Sequence, residues 1–249
     1  MRTTRLSDTP RYRCYAAPVR TNLDETDARR LLTGGPVSIV TSSYRGHHNA
    51  APVAYVMPLS WRPPLIGIAM HPSRYSYDVI HKTEEFALNI PTRELLHHVQ
   101  YLGSLSGADV DKLELTKLPH FRARKLDTVL LEGCVGWIEC SLDDTIEVGD
   151  HFLLVGRVVA VQADNDAFKD RWLLDDNELK PLHYLGMNHY SILDYVMEAR
   201  IPQTAEEYGR RLDEAVAEQL ELTHQGEEQR AQEDFEREEF RKREGFERS

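Results

Sequence analysis

Short runs of apolar, largely β-branched residues recur along the first two hundred or so positions, each bounded by Gly, Pro, Asn or Asp: 36–41, 53–59, 65–70, 85–90, 134–142 and 151–162. Runs of that length between such boundaries predict strands. Between them the apolar spacing becomes helical at 24–32, at 74–82 after a Ser73 cap, and at 93–102 after a Thr92 cap. Ser106 and Asp109 stand at capping-box spacing and predict a further helical turn. The connections decide how the strands pair. Ser60-Trp61-Arg62-Pro63-Pro64 is hairpin length, too short for a parallel crossover. The path through Asp143-Asp144 to Gly149-Asp150 leaves no room for a crossover helix either. The sheet is therefore expected to be mainly antiparallel. Stretches such as Phe152-Leu153-Leu154-Val155 are apolar on both faces, which predicts a barrel covered outside by helices or by a second subunit.

The pattern changes after residue 202. Positions 203–249 hold 15 acids and 8 Lys or Arg, net −7, with no strand-like run. A short helical stripe of Tyr208, Leu212, Ala215, Val216 and Leu220 gives way to pairs at four-residue spacing, Glu233 with Arg237, Glu238 with Lys242 and Glu239 with Arg243. The expected organisation is a β-rich domain over 1–202, its core about 35–193, followed by an acidic helical tail over 203–249.

Composition narrows the function classes. The chain has 30 Lys and Arg against 41 Asp and Glu, a net charge of −11, which argues against a nucleic-acid partner. No run approaches the roughly 18 to 20 apolar residues of a membrane span, and the first thirty residues carry no apolar signal core. The expectation is a cytoplasmic protein without a membrane partner. Cys14, Cys134 and Cys140 form neither a CxxC pair nor an even disulfide framework, consistent with a reducing compartment.

Generic catalytic templates are missing: the sequence has no GxSxG, HExxH, Walker loop or GxGxxG. Thr33-Gly34-Gly35-Pro36 reads as a turn before a strand. His47-His48 and His97-His98 lack a third ligand at metal spacing, so no metal site is expected. The segment 49–92 is more informative, because polar clusters alternate with strands. Asn49-Ala50-Ala51-Pro52 leads into one strand, His71-Pro72-Ser73-Arg74-Tyr75-Ser76 opens a helix after the next, and Asn89-Ile90-Pro91-Thr92 ends the third. In the middle cluster, helix-start N–H groups, the Ser73 and Ser76 hydroxyls and the Arg74 guanidinium suit a phosphate. An ordinary helix cap beside a surface arginine is the alternative reading.

Over about 35–193 the chain resembles the flavin reductase-like, FMN-binding split-barrel family, which includes flavoredoxins and flavin:NAD(P)H reductases. The resemblance is carried by NAAPVAYVMPLSWRPPLIGIAM from Asn49, HPSRYSYDVI from His71, EEFALNIPT from Glu85, SGADVDKL from Ser106, Gly149-Asp150-His151, and PLHYLGMNHY from Pro181. It implies a mainly β fold with peripheral helices: an antiparallel Greek-key split barrel that forms a homodimer, with FMN bound near the interface. Carried over by matching stretches, Val56, Met57, Pro58, Leu59 and Ser60 would line the isoalloxazine with Asn49 nearby. Ser73, Arg74 and Ser76 would hold the phosphate. Asn89, Ile90 and Pro91 would border the flavin or its ribityl chain, and Ser106, Gly107 and Lys112 would approach the phosphate end. Ala108 and His71 depart from the family pattern, standing where a larger polar and a small residue are common.

His151 resembles a family hallmark. It either borders the flavin or the incoming donor in a catalytic role, or hydrogen-bonds the Gly149-Asp150 turn. The leading expectation is an FMN-dependent oxidoreductase in which NAD(P)H gives hydride to flavin N5 and electrons pass to a flavin, a ferric chelate or another acceptor, with a monooxygenase as one conceivable partner. Two alternatives stand beside it: an FMN electron carrier serving a protein redox partner, and a cofactor-less barrel acting as an interaction module.

Overall fold

The computed structural model describes residues 22–198 and isolated positions between 204 and 217. The chain divides into two units, Met1–Tyr195 and Val196–Ser249. Most of the expected acidic tail lies outside the described residues, as does Cys14. Described positions from Glu206 to Ala217 are helical, and Thr204 Oγ1 accepts from the Glu207 N–H at 3.1 Å.

The first unit is built on one antiparallel sheet of seven strands. They are β1 (Ser38–Tyr44), β2 (His47–Val53), β3 (Val56–Trp61), β4 (Pro64–Met70), β5 (Glu85–Pro91), β8 (Cys134–Val148) and β9 (His151–Ala163), in the order β2-β1-β5-β8-β9-β4-β3. The short strands β6 (His120–Arg122) and β7 (Val129–Leu131) pair with each other, as do β10 (Leu182–Gly186) and β11 (His189–Ile192). The helices are α1 (Ala28–Leu31), α2 (Tyr75–Thr83), α3 (Leu96–Ser104) and α4 (Lys112–Thr116).

Strand order alone forces the sheet to roll. Laid flat, its edge strands β2 and β3 would stand about 29 Å apart, six spacings of roughly 4.8 Å. Yet only Ala54 and Tyr55 join them, and that link reaches about 11 Å at most. The edges must meet, and the result is a split barrel. One apolar cluster, with Val40, Ile68, Phe86, Leu88, Cys140 and Leu154, packs one face of the sheet. A second, with Ile39, Leu95, Val99, Leu102, Leu113, Leu131 and Leu182, seats α3, α4 and β10 on the other. Hence Ser38 to Ser42 of β1 are buried without alternation. Gly156 is required by close approach: a Cβ there would collide with the Phe86 ring and Cys140.

Two local expectations are corrected. The cluster beginning at Asn49 is not a loop but the body of β2, hidden in sequence because HHNAAPV lacks β-branched alternation. Asp143-Asp144 does not begin a loop: β8 continues to Val148, with a register shift between Leu142 and Asp144, and the turn is Gly149-Asp150 alone. The expected turn does open at Ser106, whose carbonyl accepts from the N–H groups of Asp109 and Val110 at 3.2 and 3.3 Å. The helix begins at Lys112, where Asp111 caps the Glu114 N–H at 3.0 Å.

Glu139 is an internal anchor that the sequence did not mark. Only 1% exposed, its carboxylate accepts from the consecutive backbone N–H groups of Arg124, Lys125 and Leu126 at 2.9, 2.7 and 3.1 Å. The loop between β6 and β7 is thereby wrapped around one charge. Cys134 and Cys140 are buried free thiols, both pushed up by burial, Cys140 to about 12.

Candidate functional site

Three segments far apart in sequence converge at the start of α2. Asn49, buried in β2, donates from Nδ2 to Ser76 Oγ at 2.8 Å, tying the strand to the first turn of the helix. Gly107, in the turn after α3, lies so close to Asn49 Oδ1 and the Tyr75 ring that a Cβ would collide with both. Lys112, at the first turn of α4, is buried and donates from Nζ to the Leu102 carbonyl of α3 at 2.8 Å. Thus β2, the α2 start and the Ser106–Lys112 segment form one corner.

Its electrostatics are one-sided. Burial holds Lys112 down to about 8, and the nearby Arg74 charge adds to that depression. Neither cation has a carboxylate within ion-pair distance among the described residues. Arg74 is the residue before the nine-residue α2, whose start carries no side-chain cap bond and has Asp78 as the acid of its first turn. Asn49 Oδ1 is buried without a partner. Two cations in repulsion, an uncapped helix start and an unused acceptor make a built seat for an anion carrying hydroxyl groups.

The other expected residues divide. Val56 to Ser60 lie together on β3, an edge strand, with Met57 46% and Leu59 39% exposed and a register shift between Pro58 and Ser60. Ser73 and Arg74 are exposed at the α2 start, and Ser76 is buried. Ser106 Oγ accepts from the Ala108 N–H at 3.2 Å. Asn89 has its amide engaged inside the barrel. It is fully buried, donating to the Ile39 carbonyl at 2.8 Å and Thr41 Oγ1 at 3.0 Å and accepting from the Leu131 N–H at 2.8 Å. Its amide knits β5, β1 and β7 together. Ile90 packs near Gly136, and Pro91 is buried opposite Cys134. The structure thus gives these three β5 residues a place in the barrel wall.

His151 begins β9, its Nδ1 2.7 Å from Asp150 Oδ1. Its ring meets His71 edge-on at 5.4 Å between centroids and Tyr55 at 6.3 Å. The hydrogen bond from His151, followed by the charge of that ring, holds the exposed Asp150 carboxyl below its usual range.

A separate cavity of about 590 Å³ is lined by His48, Asp111, Leu113, Glu114, Lys117, Leu118, Pro119 and His120, none of them among the expected site residues. His48 there is held below its usual value by burial and then by His120. Among the described residues no group of three or more His, Cys, Asp or Glu side chains could hold a metal, and no helix is long and apolar enough to cross a membrane.

Residues 29–190 match the flavin reductase like domain. An uncharacterized protein of Archaeoglobus fulgidus is 38% identical over 122 residues, 49% of this chain and 68% of its own length. The uncharacterized protein YddH of Escherichia coli is 32% identical over 164 residues, 64% of this chain and 87% of its own. Among solved structures, the FMN-binding protein of Thermus thermophilus with bound 1-cyclohex-2-enone superposes with a TM-score of 0.61 at 26% identity, covering 80% of this chain and all (100%) of that one.

Proposed function

This chain belongs to the flavin reductase-like domain family, and from that premise we propose that it binds FMN and acts as an oxidoreductase drawing electrons from NAD(P)H. The observation that carries the reading is the repulsive pair of Arg74 and buried Lys112 beside an uncapped helix start. An anion bound beside the desolvated Lys112 and the Arg74 charge would relieve their repulsion, which supports a ligand seat here. A phosphate monoester on a polyol chain fits this seat: the dianion answers both cations, and a ribityl hydroxyl answers the free Asn49 acceptor.

The residues then take the following roles. Arg74 and Lys112 hold the phosphate, with the hydroxyls of Ser73 and Ser76 and the first N–H groups of α2. Gly107 keeps the covering turn close to Asn49. Val56, Met57, Pro58, Leu59 and Ser60 offer an apolar edge with backbone polar groups for a planar heteroaromatic ring. When bound, FMN accepts a hydride equivalent from a nicotinamide and releases electrons to a flavin, ferric or other acceptor. The exposed Met57, Leu59 and Trp61 on the same edge strand suit burial by a second copy, and a homodimer is part of this proposal.

The test is the absorption spectrum of protein reconstituted with FMN and freed of excess flavin, recorded before and after anaerobic NADH and then NADPH. Bound flavin bands that bleach promptly are expected, and the faster donor is the physiological type. Bands that persist with both donors would favour an electron carrier for a protein partner. Absence of bound flavin would overturn the reading.

A further inference from the structure

On the flavin reading above, the cavity of about 590 Å³ has no role. Its size falls in the range of small-molecule sites, roughly 300–1,000 Å³. Its walls come from β2, from α4 with its flanking residues, and from the first residue of β6. Leu113 and Leu118, each 4% exposed, supply an apolar surface with Pro119. The rings of half-buried His48 and of His120 meet edge-on with centroids 5.6 Å apart. Both are held from behind, His48 Nδ1 lying 2.6 Å from Ser43 Oγ and His120 Nδ1 3.2 Å from the Leu118 carbonyl oxygen. Asp111, Glu114 and Lys117 bring charges of both signs to the same cavity, and none of the three has an ion-pair partner among the described residues.

Two chain neighbours tie this cavity to the anion seat. His48 precedes Asn49 on β2, and Asp111 precedes Lys112 at the start of α4. Adjacent Cα atoms stand about 3.8 Å apart, so on two separate elements the cavity begins one residue from the seat. His48 and Asn49 point to opposite faces of their strand. Because β2 is an edge strand paired only with β1, a ligand passes between those faces around an unpaired edge and not through the sheet. A group extending from a phosphate held by Arg74 and Lys112 meets this cavity next. Its lining disfavours a simple anion or cation, since carboxylates and an ammonium face the same space. It suits a polar ring that carries hydroxyls and one further negative charge.

We propose that this cavity holds the adenosine monophosphate half of FAD, so that the protein accepts FAD as well as FMN, the riboflavin 5′-phosphate portion being common to both. The Lys117 ammonium answers the second phosphate of the pyrophosphate. The carboxylates of Asp111 and Glu114 accept from the ribose hydroxyls, the means by which an acidic side chain recognises an adenosine ribose elsewhere. The purine lies against Leu113, Leu118 and Pro119, with the two imidazoles at its polar rim. Asp111 Oδ1 also accepts the Glu114 N–H at 3.0 Å, which fixes the carboxylate at the helix start between seat and cavity.

Calorimetric titration of the flavin-free full chain with FMN and with FAD tests this. FAD is expected to bind at least threefold more tightly than FMN. Lys117 and His120 are exposed, so Lys117→Gln and His120→Ala keep the fold, and each is expected to weaken FAD at least fivefold while FMN stays within twofold of the parent. Histidine C2–H resonances, assigned by their loss in His48→Gln and His120→Ala, give a readout without any substitution in the titrated protein. Those of His48 and His120 are expected to move on saturation with FAD beyond any change that FMN produces. FAD weaker than FMN, variants that weaken both flavins alike, or resonances that respond to the two flavins identically would each overturn the proposal while leaving the flavin reading in place. Failure of both flavins to bind would overturn the two together.

Discussion

On the proposed reading, Arg74 and Lys112 are two residues separated in sequence that tertiary packing brings to one anion seat, the first exposed and the second buried. Arg74 was legible as an anion ligand because it sits among serines at a helix start, a local pattern. Lys112 entered only through resemblance, since its burial depends on α4 docking against the end of α3. Replacing Arg74 with Ala removes a charge-assisted contact and is expected to weaken FMN binding by about 1.5 to 3 kcal/mol. Circular dichroism and melting temperature should hardly change, because the side chain is exposed. Parallel loss of structure and flavin would make Arg74 a structural residue.

The depressed Lys112 gives a pH signature. Its value of about 8 in the folded chain lies below the ordinary 10.5, so between those limits the unfolded chain binds more protons and stability rises with pH. A bound dianion favours the ammonium and raises that value again. Binding then takes up a proton above pH 8, and FMN affinity should fall as pH rises through 8 toward 10. Fluorescence titrations across pH 7 to 9.5 check this, and in Lys112→Gln the decline should flatten. A decline of equal steepness in the variant would remove Lys112 from the seat.

At the scale of elements, strands with an apolar pattern were readable and those shaped by the site were not. Five of the seven strands of the large sheet coincide with β-branched runs bounded by turn residues. A sixth, β8, runs well past its predicted end, and β2 was missed outright. β2 carries His47, His48, Asn49 and Pro52, residues that weaken a strand signal. Edge position explains the tolerance: β2 pairs only with β1, so Pro52 need not deny a bond to a second neighbour. The Asp143-Asp144 pair looked like a loop because charge there answers a cross-strand partner, Arg157, whose Nε and Nη2 donate to Asp143 Oδ1 at 2.9 and 2.6 Å. Asn89 entered through the resemblance as a residue bordering the flavin, and the three neighbours its amide serves inside the wall are set by tertiary packing that the sequence does not show. Glu139 was silent for the same reason: nothing in sequence reveals that three backbone N–H groups await it. Glu139→Gln keeps the shape but loses the charge, and is expected to cost about 1.5 to 3 kcal/mol in urea unfolding. A change below 0.5 kcal/mol would show that the loop does not depend on the carboxylate.

For the whole molecule, barrel closure follows from strand order and the two-residue Ala54-Tyr55 link, and it places an apolar edge strand and a cationic corner on the same unit. The antiparallel architecture was legible because two connections were too short for anything else. The corner was only partly legible, because it is assembled from β2, α2 and the Ser106–Lys112 segment by tertiary packing. A second copy covering Met57, Leu59 and Trp61 would double the mass seen by light scattering, and a monomer that still binds FMN tightly would contradict an interface site.

The central claim is that this corner recognises the phosphate of FMN, and the most direct measurement compares FMN with riboflavin in fluorescence titrations against the flavin-free protein at pH 7.5. With two cations and a helix start engaged, FMN is expected to bind at least about 30-fold more tightly than riboflavin, an advantage largely lost in Arg74→Ala. Equal affinities for the two flavins, or no binding of either, would contradict it.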